Sequence, residues 1–314
     1  MIAKKIFLIE GGRMKFLSFG EILWDVFSNK RTLGGAPLNV AGHMARLGSQ
    51  AAIISCVGKD ELGDLTLEAI RNLKVDDTFI RQDGIWGTGV ALIQLKDGIP
   101  TYEFNDPCAW DAIMLTEDQK QQLRSLKPEV FCFGTLAQRS SESRNTLDWL
   151  LDNLQFKTVF FDVNLRKAFF DKECIARGLA ACSILKMNDE ELPIIARTVG
   201  IDASLAEEGI VRALQDAYAV RTVLITKGKK GVSCYDGNRR YDQKPQDVKV
   251  VDTVGAGDSF SAAFLRSLFA TGDIAVALKM GSDLADYVVS HAGAIPEYDE
   301  TLKANWMKIL QGNN

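Results

Sequence analysis

Short apolar runs rich in β-branched and aromatic residues recur along the chain, separated by stretches of helical period. This alternation restricts the fold more than any other feature. Residues 51–56, 130–133, 158–162, 184–187 and 222–226 read as buried strands, and residues 116–126, 142–154 and 205–218 carry the helix pattern. Strands that are apolar on both faces need cover on both faces, which predicts an α/β fold: an open, mainly parallel sheet with helices on either side. No Pro/Ser-rich linker interrupts the alternation, so residues 14–314 are predicted to form one domain. Residues 22–33 and 88–104 depart from the pattern. They hold strand-like segments with no helix between, the second folded at the turn Asp97-Gly98, and predict a small antiparallel sheet projecting from the main one.

Hydrophobic residues make up 46% of the 314, ample for a full core. A net charge of −4 with no Lys/Arg-rich block offers no footprint for nucleic acid or an anionic membrane, so any anion site must be local. Six cysteines fall mostly in apolar runs and never as Cys-x-x-Cys, which points to buried thiols in a reducing cytoplasm. With only His43 and His291, a histidine metal site or a Ser-His-Asp triad has almost nothing to draw on. No apolar stretch reaches membrane-spanning length. Residues 1–13 read as an appended leader or extension, with Met14 the expected start.

Asp252-Thr253-Val254-Gly255-Ala256-Gly257-Asp258 carries the most chemistry. Its glycines and alanine leave the backbone open to an anion, and it begins a helix-period run to Phe269 whose first N–H groups would be unpaired. Residues 249–251 are expected to form the strand feeding this turn. A helix cap after a turn is the plain alternative, but Asp258 puts a carboxylate into a phosphate seat, as a base acting on the attacking group would. That combination suggests a kinase.

Other motifs are individually ambiguous. Gly34-Gly35-Ala36-Pro37-Leu38-Asn39 joins a loop to a helix and offers backbone and amide groups suited to a polyol. His43, one turn beyond Asn39, reads best as packed or solvated. Asp25 follows the first strand, where ligands bind in open α/β sheets or a loop acid is simply solvated. Asp162-Val163-Asn164-Leu165-Arg166 ends a strand, and Arg166 there could cap a helix, pair with an acid or bind substrate. Asn188-Asp189-Glu190-Glu191 opens a helix, where acids complement the dipole. Thr226-Lys227-Gly228-Lys229-Lys230-Gly231 could be a basic turn. A Walker A motif is absent.

Taken in order, these segments resemble the signatures of the ribokinase-like (PfkB) carbohydrate kinases, over residue 14 to about residue 298. The resemblance implies a ribokinase-like fold, ATP-dependent phosphorylation of a small sugar, and a β lid over that sugar. It implies Asp258 as base with Gly255, Ala256 and Gly257 as anion hole, Asp25, Gly34, Gly35 and Asn39 around the sugar, and Arg166 facing the sugar site or the transferred phosphate. Asn188, Thr226, Gly228, Gly231 and Ser282 would face the nucleotide, and Glu191 would hold Mg²⁺ through water. Asp252 would hold a monovalent cation such as K⁺, although His291-Ala292 replaces the usual basic residue nearby. A homodimer through the lid belongs to the same expectation. Residues 102–111 and Asp-x-Asn-Leu-Arg look most like bacterial fructokinases, and Ala36-Pro37 departs from the lysine of ribokinases. Kinases for 2-keto-3-deoxygluconate, ribose or nucleosides remain alternatives, as does a non-catalytic sensor on the same fold.

Overall fold

The computed structural model describes residues 14–27, 30–96 and 99–310. The expected leader over 1–13 and the Asp97-Gly98 turn lie outside the described residues. In chain order, β1 (Lys15–Phe19), β2 (Leu23–Phe27) and β3 (Lys30–Gly34) precede α1 (Ala36–Arg46), β4 (Gln50–Gly58), α2 (Glu61–Asn72), β5 (Ile80–Asp83), β6 (Gly89–Lys96) and β7 (Ile99–Phe104). The middle of the chain runs α3 (Glu117–Leu126), β8 (Val130–Phe133), α4 (Ser141–Asn153), β9 (Thr158–Asp162), α5 (Lys172–Ala181), β10 (Ile184–Asn188), α6 (Glu191–Val199) and α7 (Glu207–Tyr218). It continues with β11 (Thr222–Thr226), β12 (Val232–Asp236), β13 (Arg239–Gln243), α8 (Ala256–Thr271), α9 (Ile274–Val289) and α10 (Glu300–Leu310).

Nine strands form the main sheet in the order β13-β12-β11-β10-β9-β8-β1-β4-β5. From β11 to β5 every pairing is parallel, and an antiparallel β12–β13 hairpin closes the other edge. Period-two alternation sorts each strand between two cores. Leu17, Phe19, Phe131, Phe133, Leu185, Met187, Val223 and Ile225 face the layer of α3 to α7. Phe16, Val130, Cys132, Ile184 and Leu224 face the layer that includes α1, α8 and α9. Across β8 and β9, Phe133 stacks on Phe161 with centroids 5.0 Å apart, worth about 0.5–1.5 kcal/mol beyond area burial.

The second sheet, ordered β3-β2-β6-β7, is the predicted projection. Its two hairpins are antiparallel and join through a parallel β2–β6 pairing. The chain leaves β1 through Gly20-Glu21-Ile22 into this sheet and returns to α1 through Gly35, whose φ is +111°. A Cβ on Gly35 would lie 2.4 Å from Glu21 O, so the junction admits only glycine. Strand order reverses at β1, which has β4 on one side and β8 on the other. The carboxyl ends of the strands beside such a switch point form a ligand crevice.

Candidate active site

The chain enters α8 over the crevice through a turn clamped to the end of α9. Val251 and Asp252 N–H donate to Val289 O at 2.8 and 3.2 Å, and Asp252 accepts from Val254 and Gly293 N–H at 3.0 and 3.2 Å. Gly255 takes φ +79°, and a Cβ there would meet Ala294 Cα at 2.7 Å. No side chain caps α8, and Gly257 and Asp258 N–H have no acceptor among the described residues. The positive end of a 16-residue helix is thus presented to an anion. The strand expected at 249–251 does not form. Val250 and Val251 have apolar β-branched side chains but no strand to pair with, and they stand 47% and 56% exposed; β-propensity reports fit to a pleated, half-buried surface that is missing there.

Asp258 projects from the first turn of α8, and its Oδ2 accepts from Asn39 Nδ2 of α1 at 2.7 Å. Loss of water raises its pKa to about 6; the Asn39 hydrogen bond opposes the shift, Asp162 reinforces it, and Lys186 and Arg166 oppose it. Asp25 lies within β2, opposite Thr32 and beside Ala91, rather than in the loop after the first strand as its position suggested. The chain re-enters a strand only four residues past β1, within the strand-like stretch expected at 22–33. Asp25 Oδ2 turns toward Gly34, 3.0 Å from where a Cβ would stand. Burial raises its pKa and Arg166 offsets part of the shift. Arg166, exposed in the loop after β9, is close enough for its charge to act on Glu21, Asp25 and Asp258 together.

On the far side of the α8 N-terminus a cavity of about 620 Å³ opens, lined by Thr226, Gly228, Gly231, Ser282, Ala256 and Gly257 among others. The Thr226–Gly231 turn is held from below by Lys227, whose Nζ bonds Glu207 Oε1 at 2.7 Å and Ser233 Oγ at 2.6 Å. Asn188 and Glu191 do not line this cavity. Asn188 Oδ1 accepts from Glu191 N–H and Glu191 Oε2 accepts from Asn188 N–H, both at 2.8 Å, a reciprocal cap on α6. Glu191 Oε1 also accepts from Leu165 N–H at 2.7 Å, tying the loop after β9 to the start of α6. His43 is buried and stacked on Tyr298, and burial lowers its pKa to about 4, a packed imidazole.

Residues 12–301 match the pfkB family of carbohydrate kinases. The chain belongs to that family. It is a sugar kinase, a phosphotransferase with an alcohol acceptor. The kinase is 31% identical over 267 residues to a fructokinase from Rhizobium leguminosarum bv. trifolii, covering 80% of this chain and 79% of that protein. It is 26% identical over 313 residues to a 5-dehydro-2-deoxygluconokinase from Clostridium beijerinckii, covering 92% of this chain and 89% of that protein. Its structure superposes with a TM-score of 0.79 on an uncharacterized sugar kinase from Pyrococcus horikoshii in complex with ATP. That pair is 25% identical and covers 94% of this chain and 99% of the other.

Three charged residues of the crevice were given no site role from the sequence, although Asp162 stands in the Asp-x-Asn-Leu-Arg run. Glu21, 4% exposed, follows β1 at the switch point; burial raises its pKa to about 7, against its own and Ala36's backbone N–H, Arg166 opposing and Asp258 reinforcing. Asp162 ends β9 and meets Lys186 of β10. A lysine inside a run read as a buried strand was the available signal, since a buried charge needs a partner.

Proposed function

We propose that this kinase transfers the γ-phosphoryl group of ATP to a primary hydroxyl of fructose, with Asp258 as general base. One observation carries the reading: a carboxylate in the first turn of a helix whose leading N–H groups are free is bonded to Asn39, while Ala256 and Gly257 of the same turn line a cavity of about 620 Å³. An acid poised near pKa 6 is ionised at neutral pH yet basic enough to take a hydroxyl proton as the oxygen attacks. The new O–P bond forms to the sugar while the bond to the bridging oxygen of ADP breaks. Gly257 and Asp258 N–H would stabilise charge on the phosphoryl oxygens, with Gly255 and Ala256 shaping the turn.

In this reading Asp25, Gly34, Gly35, Asn39 and Arg166 hold the sugar. Thr226, Gly228, Gly231 and Ser282 receive the nucleotide, supported by their meeting in one cavity that ends at the α8 N-terminus. Among the described residues no cluster of three His, Cys, Asp or Glu could cage a metal, and both Glu191 oxygens accept backbone N–H groups. That donor set fits a hydrated Mg²⁺ arriving on the ATP phosphates, which it would neutralise, with Asn188 and Glu191 as outer partners. Asp252 has no Lys or Arg within ion-pair distance among the described residues, which suits a monovalent cation beside it. No helix among the described residues is long and apolar enough to cross a membrane. Six free buried cysteines favour a reducing cytoplasm.

A sugar acid is the second reading. Arg166 makes no ion pair among the described residues and could face a carboxylate, and the Clostridium relative is named for such a substrate. A coupled ADP-release assay over fructose, tagatose, ribose, adenosine and 2-keto-3-deoxygluconate separates these. Fructose should give the highest kcat/KM. A tenfold preference for the acid would replace fructose, and ADP release with no acceptor would remove the kinase assignment of the site.

A further inference from the structure

The phosphate seat at α8 leaves one buried charge without a role. Lys186 lies in β10 between Leu185 and Met187, which face one core, and shares its parity with Ile184, which faces the α8 layer. Its side chain is only 8% exposed, and Nζ donates to Asp162 Oδ2 at 2.6 Å. Ser261, one turn into α8, donates to the same oxygen at 3.3 Å and to Gly257 O at 2.8 Å. Asp162 is the only hydrogen-bond partner of the ammonium among the described residues, although an ammonium carries three donors. A Cβ built on Gly257 would stand 3.4 Å from Nζ, so the charge sits beside the residue whose free N–H opens the seat.

Neutralising Asp162 does not account for this lysine, because a buried ion pair is commonly no more stabilising than an apolar pair of like volume. We propose that Lys186 is a catalytic cation that contacts the transferred phosphoryl group at the α8 N-terminus, with Asp162 as its positioning residue. The proposal rests on the assignment of α8 as the phosphate seat. Burial alone would lower the lysine pKa, but Asp162, Asp258 and Glu191 hold it above the ordinary value, so the ammonium keeps its proton through the reaction. The proton leaving the sugar goes to Asp258. Lys186 supplies fixed positive charge, which needs no reorganisation as charge moves from the γ-phosphoryl toward ADP.

Three variants test this, Lys186→Met, Lys186→Met/Asp162→Asn and Asp258→Asn, with kcat, fructose KM and thermal midpoint measured for each. The single lysine variant leaves a buried carboxylate unpaired and can lose the fold, whereas the double variant removes both charges. In the double variant kcat should remain depressed by about 10²–10³ with fructose KM within a few-fold, the usual loss for one oxyanion donor. Recovery of kcat to within threefold of the parent would mean that Lys186 only neutralises Asp162, and the proposal would be overturned. Calorimetry gives a readout that a structural defect would not move. The double variant should bind ADP within twofold of the parent but a non-hydrolysable ATP analogue at least tenfold more weakly; equal weakening of both ligands overturns the proposal. If Asp258→Asn keeps turnover, the seat itself is wrong and the Lys186 contact falls with it. If Asp258→Asn is inactive while the double variant matches the parent, only the Lys186 assignment fails.

Discussion

In the proposed role of general base, Asp258 must meet two conflicting requirements. A base needs a raised pKa, which loss of water provides, and it must still be ionised at working pH, which Asn39, Lys186 and Arg166 secure. Asp258→Asn keeps size and hydrogen-bonding capacity but cannot take a proton. It should lower kcat by about 10²–10⁴ while sugar and nucleotide affinities stay within a few-fold, as steady-state kinetics and calorimetry would record. A base acts in its ionised form, so under the proposed role kcat/KM of the parent should rise with pH through about 6 rather than near the ordinary carboxylate value of 3.8. Asn39→Ala removes an interaction that lowers this pKa and should move the acid limb upward. A parent limb near 4, or an Asn39→Ala limb moved down, would take Asp258 out of the base role. Both residues were legible as motif members. Their contact was not, because 219 positions separate them.

Among the elements, the second sheet is the one most dependent on ligand. Among the described residues its anchors to the main body include Trp24 Nε1 of β2, which donates to Thr66 Oγ1 and Leu62 O of α2 at 2.9 and 3.3 Å, and Phe104 at the end of β7, which packs edge-on against Phe169 at 6.0 Å. Segments with few buried contacts open at low free-energy cost. Sugar should therefore slow amide exchange over 22–33 and 88–104, and more than a nucleotide analogue does alone, since closure follows only from differential affinity for the closed state. Exchange read by mass spectrometry with fructose, with the analogue and with both decides this. Protection by nucleotide and not by any sugar would move the sheet to the nucleotide side and reopen the sugar roles of Asp25, Gly35 and Asn39. Closure over sugar would also exclude water as a competing phosphoryl acceptor.

The molecule as a whole carries the cost of a buried acid at its switch point. Glu21 has a pKa near 7 in the fold against 4.5 ordinarily, so the folded state holds its proton more tightly than the unfolded chain. Its contribution is therefore most favourable below 4.5 and is lost as pH rises through 7, an effect of about 3 kcal/mol at about 1.36 kcal/mol per pKa unit. Glu21→Gln should unfold at a higher temperature than the parent at pH 8, with the gap closing toward pH 4.5. A parent-like dependence of thermal midpoint on pH in the variant would show that Glu21 is not the group responsible. What the sequence alone determined was local: strands and helices from hydrophobic period, the two-sided core from apolar runs, the start of α8 with no side-chain cap from Gly255, Ala256 and Gly257. These features depend on neighbours within a few residues, so a linear reading finds them. The tertiary structure decided the rest, namely the burial of Glu21, the missing partner that leaves 249–251 irregular, and the cluster of Lys186 with Asp162 and Ser261. Those outcomes depend on water exposure and distant partners; in the last, Asp162 meets Lys186 and Ser261, 24 and 99 positions away, only when β9, β10 and α8 pack.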